Sequence, residues 1–417
     1  NNPSINSPGW DYVFGAQNDI VKQAQLKEWI SKDSLFNSPY LVKYNQNINV
    51  RATVEPVKDF KIELTANRTY TENRSAYIKA DSNGVYNEYS PQTNGSFSIT
   101  FFALNTAFVA NNSDYSNNNF EKLKEYRLII ANRLAAQNPN SVGIDETTGF
   151  PVGYGPTSQD VLIPAFIAAY SGKSADNVGL TAFPAIPMPN WRLTYNGLTK
   201  LKWFKDVFQT FSVSHGYNNN YSVGTFTTNI HYSPDQDGFQ WVKDALNNFI
   251  PQKEISQVSI NEQFNPLLNF DMALKNSLLA KAEIKKSRNL ALTFSNGQLT
   301  ELTTTEYVFG LGYRIKDIEL TFNFSGVTKK TKSDLNIKAD LSIRENKTIL
   351  RKLIENVDQI SAGQRVISIN ISADYQLSAK FTIRAFYDQV LNKPYVSNQF
   401  PNSNINSGIS VRFTLAQ

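Results

Sequence analysis

Two histidines, His215 and His231, and no cysteine leave the chain almost no side chain suited to thiolate, histidine–metal or charge-relay chemistry. His215 sits in Ser212-Val213-Ser214-His215-Gly216, which does not match a nucleophile elbow. A triad would also need a placed nucleophile and carboxylate, so His215 reads as structural. Ser171-Gly172-Lys173-Ser174 has the residues that end a phosphate-binding loop. Ile167 stands where the first glycine must be, so the backbone cradle is missing. Asp235-Gln236-Asp237-Gly238 lacks the spacing and the distal glutamate of a calcium loop and reads as a polar outer loop. Asp340 and Asp374 would work as acid and base only if the fold set them side by side. The preferred alternative is a hydrated wall in which Lys338, Arg344, Arg384 and Arg412 balance them. No catalytic residue, cofactor or metal site is expected.

The elements that carry these residues alternate with period two. In 334–345, Leu335, Ile337, Ala339, Leu341 and Ile343 take one face, and Asn336, Lys338, Asp340, Ser342 and Arg344 the other. Ile367, Ile369, Ile371, Ala373 and Tyr375 oppose Ser368, Asn370, Ser372 and Asp374. Ile383 opposes Arg384, and Val411 and Phe413 oppose Arg412. Upstream, Ile48, Val50, Ala52 and Val54 oppose Arg51, and Ile62 and Leu64 oppose Glu63. About eleven spanning strands are predicted, at 42–55, 60–72, 95–104, 207–229, 253–264, 278–294, 304–314, 334–346, 363–376, 380–390 and 404–416. Segments of about ten alternating residues are what a tilted membrane-spanning strand needs.

The fold class expected is therefore all-β, an antiparallel transmembrane β-barrel. Arg51, Glu63, Lys338, Asp340, Arg344, Asn370, Asp374, Arg384 and Arg412 are expected to line its lumen. Ile337, Leu341, Ile369, Ile371, Ile383, Val411 and Phe413 are expected to face lipid. Short connections such as 56–59 and 376–380 contrast with long Asn/Ser-rich ones at 73–94, 218–252, 295–303, 346–362 and 390–403. That asymmetry fits short periplasmic turns and long outer loops. A helix is predicted over 119–136, with Asn118 or Asn119 as its cap, and a weaker one over 19–31. Phe183-Pro184-Ala185-Ile186-Pro187-Met188-Pro189-Asn190-Trp191 must be extended. Residues 105–206 thus form an inserted segment, placed by strand counting on the periplasmic side together with 315–333.

Composition agrees. The charged fraction is 18%, below the roughly 25% of soluble domains, and the aromatic fraction is 12%. No apolar run reaches the ~18 residues of a membrane helix. The net charge of +5 is spread along alternating strands with no basic arm, which argues against nucleic acid. The chain opens Asn1-Asn2-Pro3 with no initiator methionine, as expected of a processed N-terminus or a piece of a longer polypeptide.

Several blocks resemble the C-terminal part of the outer-membrane translocon of the Bacteroidetes type IX secretion system, the SprA/Sov family. They are Pro8-Gly9-Trp10-Asp11-Tyr12-Val13-Phe14-Gly15, 183–198 (FPAIPMPNWRLTYNGL), 211–217 (FSVSHGY), 264–301 and 333–417, which ends SGISVRFTLAQ. The resemblance implies a bacterial outer-membrane location and one barrel of about 36 strands. It implies export of folded cargo proteins with C-terminal signals, linked to gliding motility, and no enzymatic activity. It also implies partners: upstream strands of the same polypeptide, a PorV-type barrel at a lateral opening, a periplasmic plug protein, secreted cargo and the lipid bilayer. The runner-up is a self-contained porin or solute-uptake barrel. An outer-membrane hydrolase and a soluble carbohydrate-binding sandwich fit less well.

Overall fold

Alternating branched and aromatic residues favour extended backbone packed on one face. In the computed structural model they form a sheet of thirteen strands. The structure describes residues 10, 20–33, 35–324, 327–378, 380–396 and 399–413. The first family-like block, apart from Trp10, lies outside them. The strands are β1 (Pro39–Val57), β2 (Phe60–Ala80), β3 (Tyr86–Thr100), β4 (Asn190–Tyr195), β5 (Phe208–Thr228), β6 (Lys253–Ile255) and β7 (Gln257–Leu274). They continue with β8 (Leu278–Thr293), β9 (Gln298–Phe324), β10 (Val327–Lys352), β11 (Val357–Ser378), β12 (Phe381–Pro394) and β13 (Asn402–Phe413). Helices are α1 (Ile20–Leu26), α2 (Asn118–Ala135), α3 (Gln159–Ser171) and α4 (Lys202–Val207). No described helix is long and apolar enough to cross a membrane. The class is the expected all-β one, a continuous antiparallel sheet.

The chain divides into two units, 1–45 with 70–95 and 46–69 with 96–417. In the first, Tyr86 donates to the Ile30 carbonyl at 2.6 Å and Arg74 pairs with Glu88 at 2.9 Å. The second holds the long wall and the insertion.

The sheet order is β1-β2-β3-β5-β7-β8-β9-β10-β11-β12-β13. One position in it is composite. β4 pairs with β2 through Phe60↔Tyr195 to Thr65↔Asn190, and with β5 through Trp191↔Tyr217. β3 also lies between β2 and β5, with Thr100 Oγ1 accepting from Asn67 N at 3.0 Å. One strand position is therefore shared by β3 and β4, and 101–189 is an excursion that leaves and returns at mid-wall. The sequence reading missed β4, because three prolines precede it and Asn190 and Trp191 carry little alternation.

Most connections expected to be long loops are strand instead. The turns are 81–85, 294–297 and 353–356, and 315–333 is a continuation of the β9–β10 hairpin. Polar residues on both faces of these strand ends imitate loop composition. The one described connection of real length in this part is 229–252.

The α2 cap is Asn117, whose side chain accepts from Asn119 N at 2.9 Å. Phe120, Leu123 and Ile130 form its buried face. α3 is buried along most of its length, Val161 to Ser171, and ends at Gly172 in the left-handed region (φ 73°). The Ser-Gly-Lys-Ser run is thus a helix C-cap, where only glycine is free of steric cost.

The insertion packs at the end of the wall that carries 229–252. Phe249 N donates to the Gly153 carbonyl at 2.7 Å, and Gln159 bonds the Lys253 carbonyl at 2.9 Å. The 315–333 hairpin extends from the opposite end, where β1–β2 and β7–β8 turn tightly at 58–59 and 275–277. The expectation that 105–206 and 315–333 share one side therefore fails for 105–189 and holds only for 196–206, where Asn196 N donates to the Asp59 carbonyl at 3.0 Å. It assumed that the insertion follows a complete strand, whereas it interrupts one.

Candidate pore-lining face

Cross-strand partners share a face, so the register sorts every side chain of the wall. One face carries Asn336, Lys338, Asp340, Ser342 and Arg344 of β10. Opposite them stand Asp374, Ser372, Asn370, Ser368 and Val366 of β11. The same face continues through Arg384 opposite Asp374, and Arg412 opposite Thr382. Toward β8 it continues through Glu306 opposite Arg344 and Lys285 opposite Glu306. Lys285 lies 3.4 Å from Glu283 and 3.8 Å from Glu306, and Lys281 lies 3.0 Å from Glu283. Ser342 donates to Glu306 at 2.7 Å, and Arg384 stands 3.8 Å from Asp374. Glu63 faces Arg192 across the β2–β4 ladder. Arg51 is exposed in the middle of β1.

Gly310 and Gly312 interrupt this row of charges. They stand opposite Asp340 and Lys338 and leave a hollow of about 330 Å³ lined also by Asp271, Leu279 and Lys281. A Cβ on Gly310 would come 2.8 Å from Asp340 Oδ1. Asp340 and Asp374 share the face but are not partners. Asn370 is opposite Asp340 and Asn336 opposite Asp374. They form no acid–base pair.

The other face is apolar over a defined height. Ile337, Leu341, Ile369, Ile371, Ile383, Val411 and Phe413 all fall on it, together with Phe309, Leu311 and Tyr313 of β9. Leu311 is 57% and Ile409 75% exposed, so these side chains form an uncovered field. On β10 it runs from Leu335 to Ile343, about 26 Å along the strand. At a tilt of about 40° that is a band near 20 Å tall, close to the hydrocarbon band of outer-membrane barrels. A charged row closes it: Lys286, Thr305, Glu345, Arg365 and Lys393 are successive partners across β8 to β12.

The insertion packs on this apolar side, above the band. Arg288 Nη1 donates to the Thr106 carbonyl at 2.7 Å, Nη2 pairs with Glu262 at 2.9 Å, and the guanidinium lies 5.7 Å from the Tyr170 ring. Arg351, fully buried, pairs with Glu301 at 2.7 Å and Asp358 at 3.2 Å and donates to Tyr115 O at 2.6 Å. Tyr217 OH donates to Glu262 at 2.9 Å and accepts from Ala103 N at 3.0 Å. Sequence reasoning missed these anchors. The signal present was a charge at an apolar-face position, as at Arg288 between Lys286 and Leu290.

His215 Nδ1 bonds the Leu267 carbonyl at 2.6 Å beside Trp191 and Phe264, a structural role. Asp235 accepts from Phe239 N at 2.8 Å and Asn140 Nδ2 at 2.6 Å, and caps a loop turn. Among the described residues no group of three His, Asp or Glu is placed to hold a metal.

Comparison with solved structures finds several matches, among them a peptide transporter and an outer membrane protein. The chain is similar to the structure of the RagAB peptide transporter at 8% identity and a TM-score of 0.26, over 85% of this chain and 37% of that one. It is similar to OmpT, an outer membrane protein of Vibrio cholerae, at 7% identity and a TM-score of 0.23, over 90% of this chain and 99% of that one. The chain thus spans well under half the length of the transporter chain. No family model and no curated protein matches it.

Proposed function

We propose that this chain forms part of the wall of a protein-conducting pore in a bacterial outer membrane, the translocon of type IX secretion. The observation that carries this reading is the separation of the two faces. The insertion is anchored by Arg288, Arg351 and Tyr217 on the lipid side. The polar face opposite carries charged and amide side chains, several of them paired, around the hollow at Gly310 and Gly312. A channel for a single small solute needs a constriction, which outer-membrane barrels build by folding loops or a plug into the lumen. A channel for folded cargo needs the opposite, a wide bore with a hydrated wall that holds no sticky apolar patch. The motif resemblance at 183–198 and 211–217 supports the same reading. Upstream strands, a PorV-type barrel, a plug protein and exported cargo are its partners under this proposal.

The chain has no cysteine, so single cysteines report cleanly. With cargo stalled in the pore by a bulky fusion, Asp340→Cys and Asp374→Cys should cross-link to it, and Ile369→Cys should not. Cross-links from the Ile369 face alone would reverse the assignment of the faces. Cross-links from neither face, with conductance for small ions only, would favour the solute-uptake barrel.

A further inference from the structure

Six positions on three neighbouring strands form a grid just above the apolar band. Glu345, Arg365 and Lys393 stand opposite one another in its first row. Lys347, Gly363 and Tyr395 form the second, with Tyr395 N donating to the Gly363 carbonyl at 2.9 Å. Directly beneath are Ile343, Ile367 and Leu391, the top of the band.

Gly363 shapes the grid. A Cβ there would come 3.0 Å from Tyr395 Cδ2 and 2.9 Å from the Asn346 carbonyl. The bare position lets the tyrosine ring lie across the row, and Lys347 Nζ sits 5.2 Å from its centroid. Glu345 is taken by Arg365, which donates to it through Nε at 2.8 Å and Nη2 at 2.5 Å. Among the described ion pairs, Lys347 and Lys393 have no carboxylate partner. Two uncompensated cations therefore flank a half-exposed aromatic ring at the boundary of an apolar field.

That arrangement selects an amphiphile with an anionic headgroup. Acyl chains would lie on Ile343, Ile367 and Leu391, and a phosphate would meet both lysines, with the tyrosine at headgroup depth. The grid is at the end of the wall that carries 229–252, and long loops mark the outer side. We infer that this grid binds the phosphate of a phosphorylated glycolipid in the outer leaflet. The inference rests on the membrane reading above and adds a lipid site to it.

The test uses the intact protein purified from its native membrane and stripped of lipid in detergent. Purified bisphosphorylated lipid A is the probe, and native mass spectrometry counts what stays bound. The wild type should retain lipid A, and Lys347→Glu/Lys393→Glu should retain it about tenfold less. Should that variant misfold, Lys347→Gln/Lys393→Gln gives a smaller loss in the same direction. Lys173→Glu, on the insertion, should bind as the wild type does. Equal retention by wild type and both double variants overturns the inference, as does equal binding of phosphatidylglycerol or displacement by inorganic phosphate. Failure of the membrane reading would look different: the protein would be found in the soluble fraction before any lipid was added.

Discussion

Ile369 and Asn370 are neighbours in sequence and opposites in environment. Ile369 stands across from Leu341 on the apolar face and Asn370 from Asp340 on the polar one. Ile369→Arg places a charge near the middle of the band and should cost about 2–4 kcal/mol of folding stability in lipid. Asn370→Gln should be nearly neutral. Refolding titrations into bilayers measure both, and equal tolerance would remove the membrane assignment. Asp160 is a second residue with a directional consequence. It lies in the first turn of α3, accepts from Gln240 Nε2 at 3.2 Å, and burial pushes its carboxyl above the ordinary 3.8. The folded protein thus binds this proton more tightly than the unfolded chain. Its contribution to stability is greatest below the unfolded value and falls as pH rises from there toward the raised one. Asp160→Asn keeps an acceptor for Gln240 and removes the titration. Melting of the intact protein between about pH 4 and pH 8 should decline less steeply in the variant. Equal slopes would mean that Asp160 does not carry the effect.

Strand positions were legible in the sequence because period two is local: each apolar residue predicts its neighbours two away. The ends of those strands were not. Thr300, Asn346 and Gln359 look like loop residues, yet they sit in ladders that run beyond the apolar band. The face on which the insertion packs was not legible either, because it depends on β3 and β4 sharing one position between β2 and β5, which is a matter of pairing between distant segments. That sharing changes the expected side of the membrane. The insertion lies with 229–252, the long loop, and away from the tight turns at 58–59 and 275–277. Val142→Cys, at a position 76% exposed in the insertion, should react with a membrane-impermeant maleimide on intact cells. Asp317→Cys, in the far hairpin, should react only after the outer membrane is opened. The reverse pattern would return the insertion to the periplasm.

At the scale of the whole sheet, the decisive quantity is the parity of its eleven positions. Neighbours are antiparallel from β2 through β4 to β5 and in each ladder from β5 to β13, and the two-residue turn at 58–59 makes β1 antiparallel to β2. With an odd number of positions, β1 and β13 run in the same direction. Closing the sheet on itself would need a parallel seam, whereas bacterial single-chain barrels have an even number of antiparallel strands. Left unclosed, β13 has β12 as its one neighbour among the described residues. Its side chains are exposed along its whole length. Ile405, Ile409 and Val411 lie on the side of the apolar band, so this edge would sit in lipid. About half the backbone N–H and C=O groups of an edge strand lack partners, and each costs several kcal/mol in hydrocarbon. For twelve residues that exceeds the whole stability of a domain, about 5–15 kcal/mol. Residues 1–417 expressed alone should therefore not yield a closed barrel. Folding trials should give no heat-resistant, fast-migrating band on unheated gels and no discrete ion conductance in planar bilayers. Supplying an antiparallel partner strand for β13 should restore both. A closed, conducting barrel made from 1–417 alone would show that the parallel seam forms, and would leave the chain a pore in its own right.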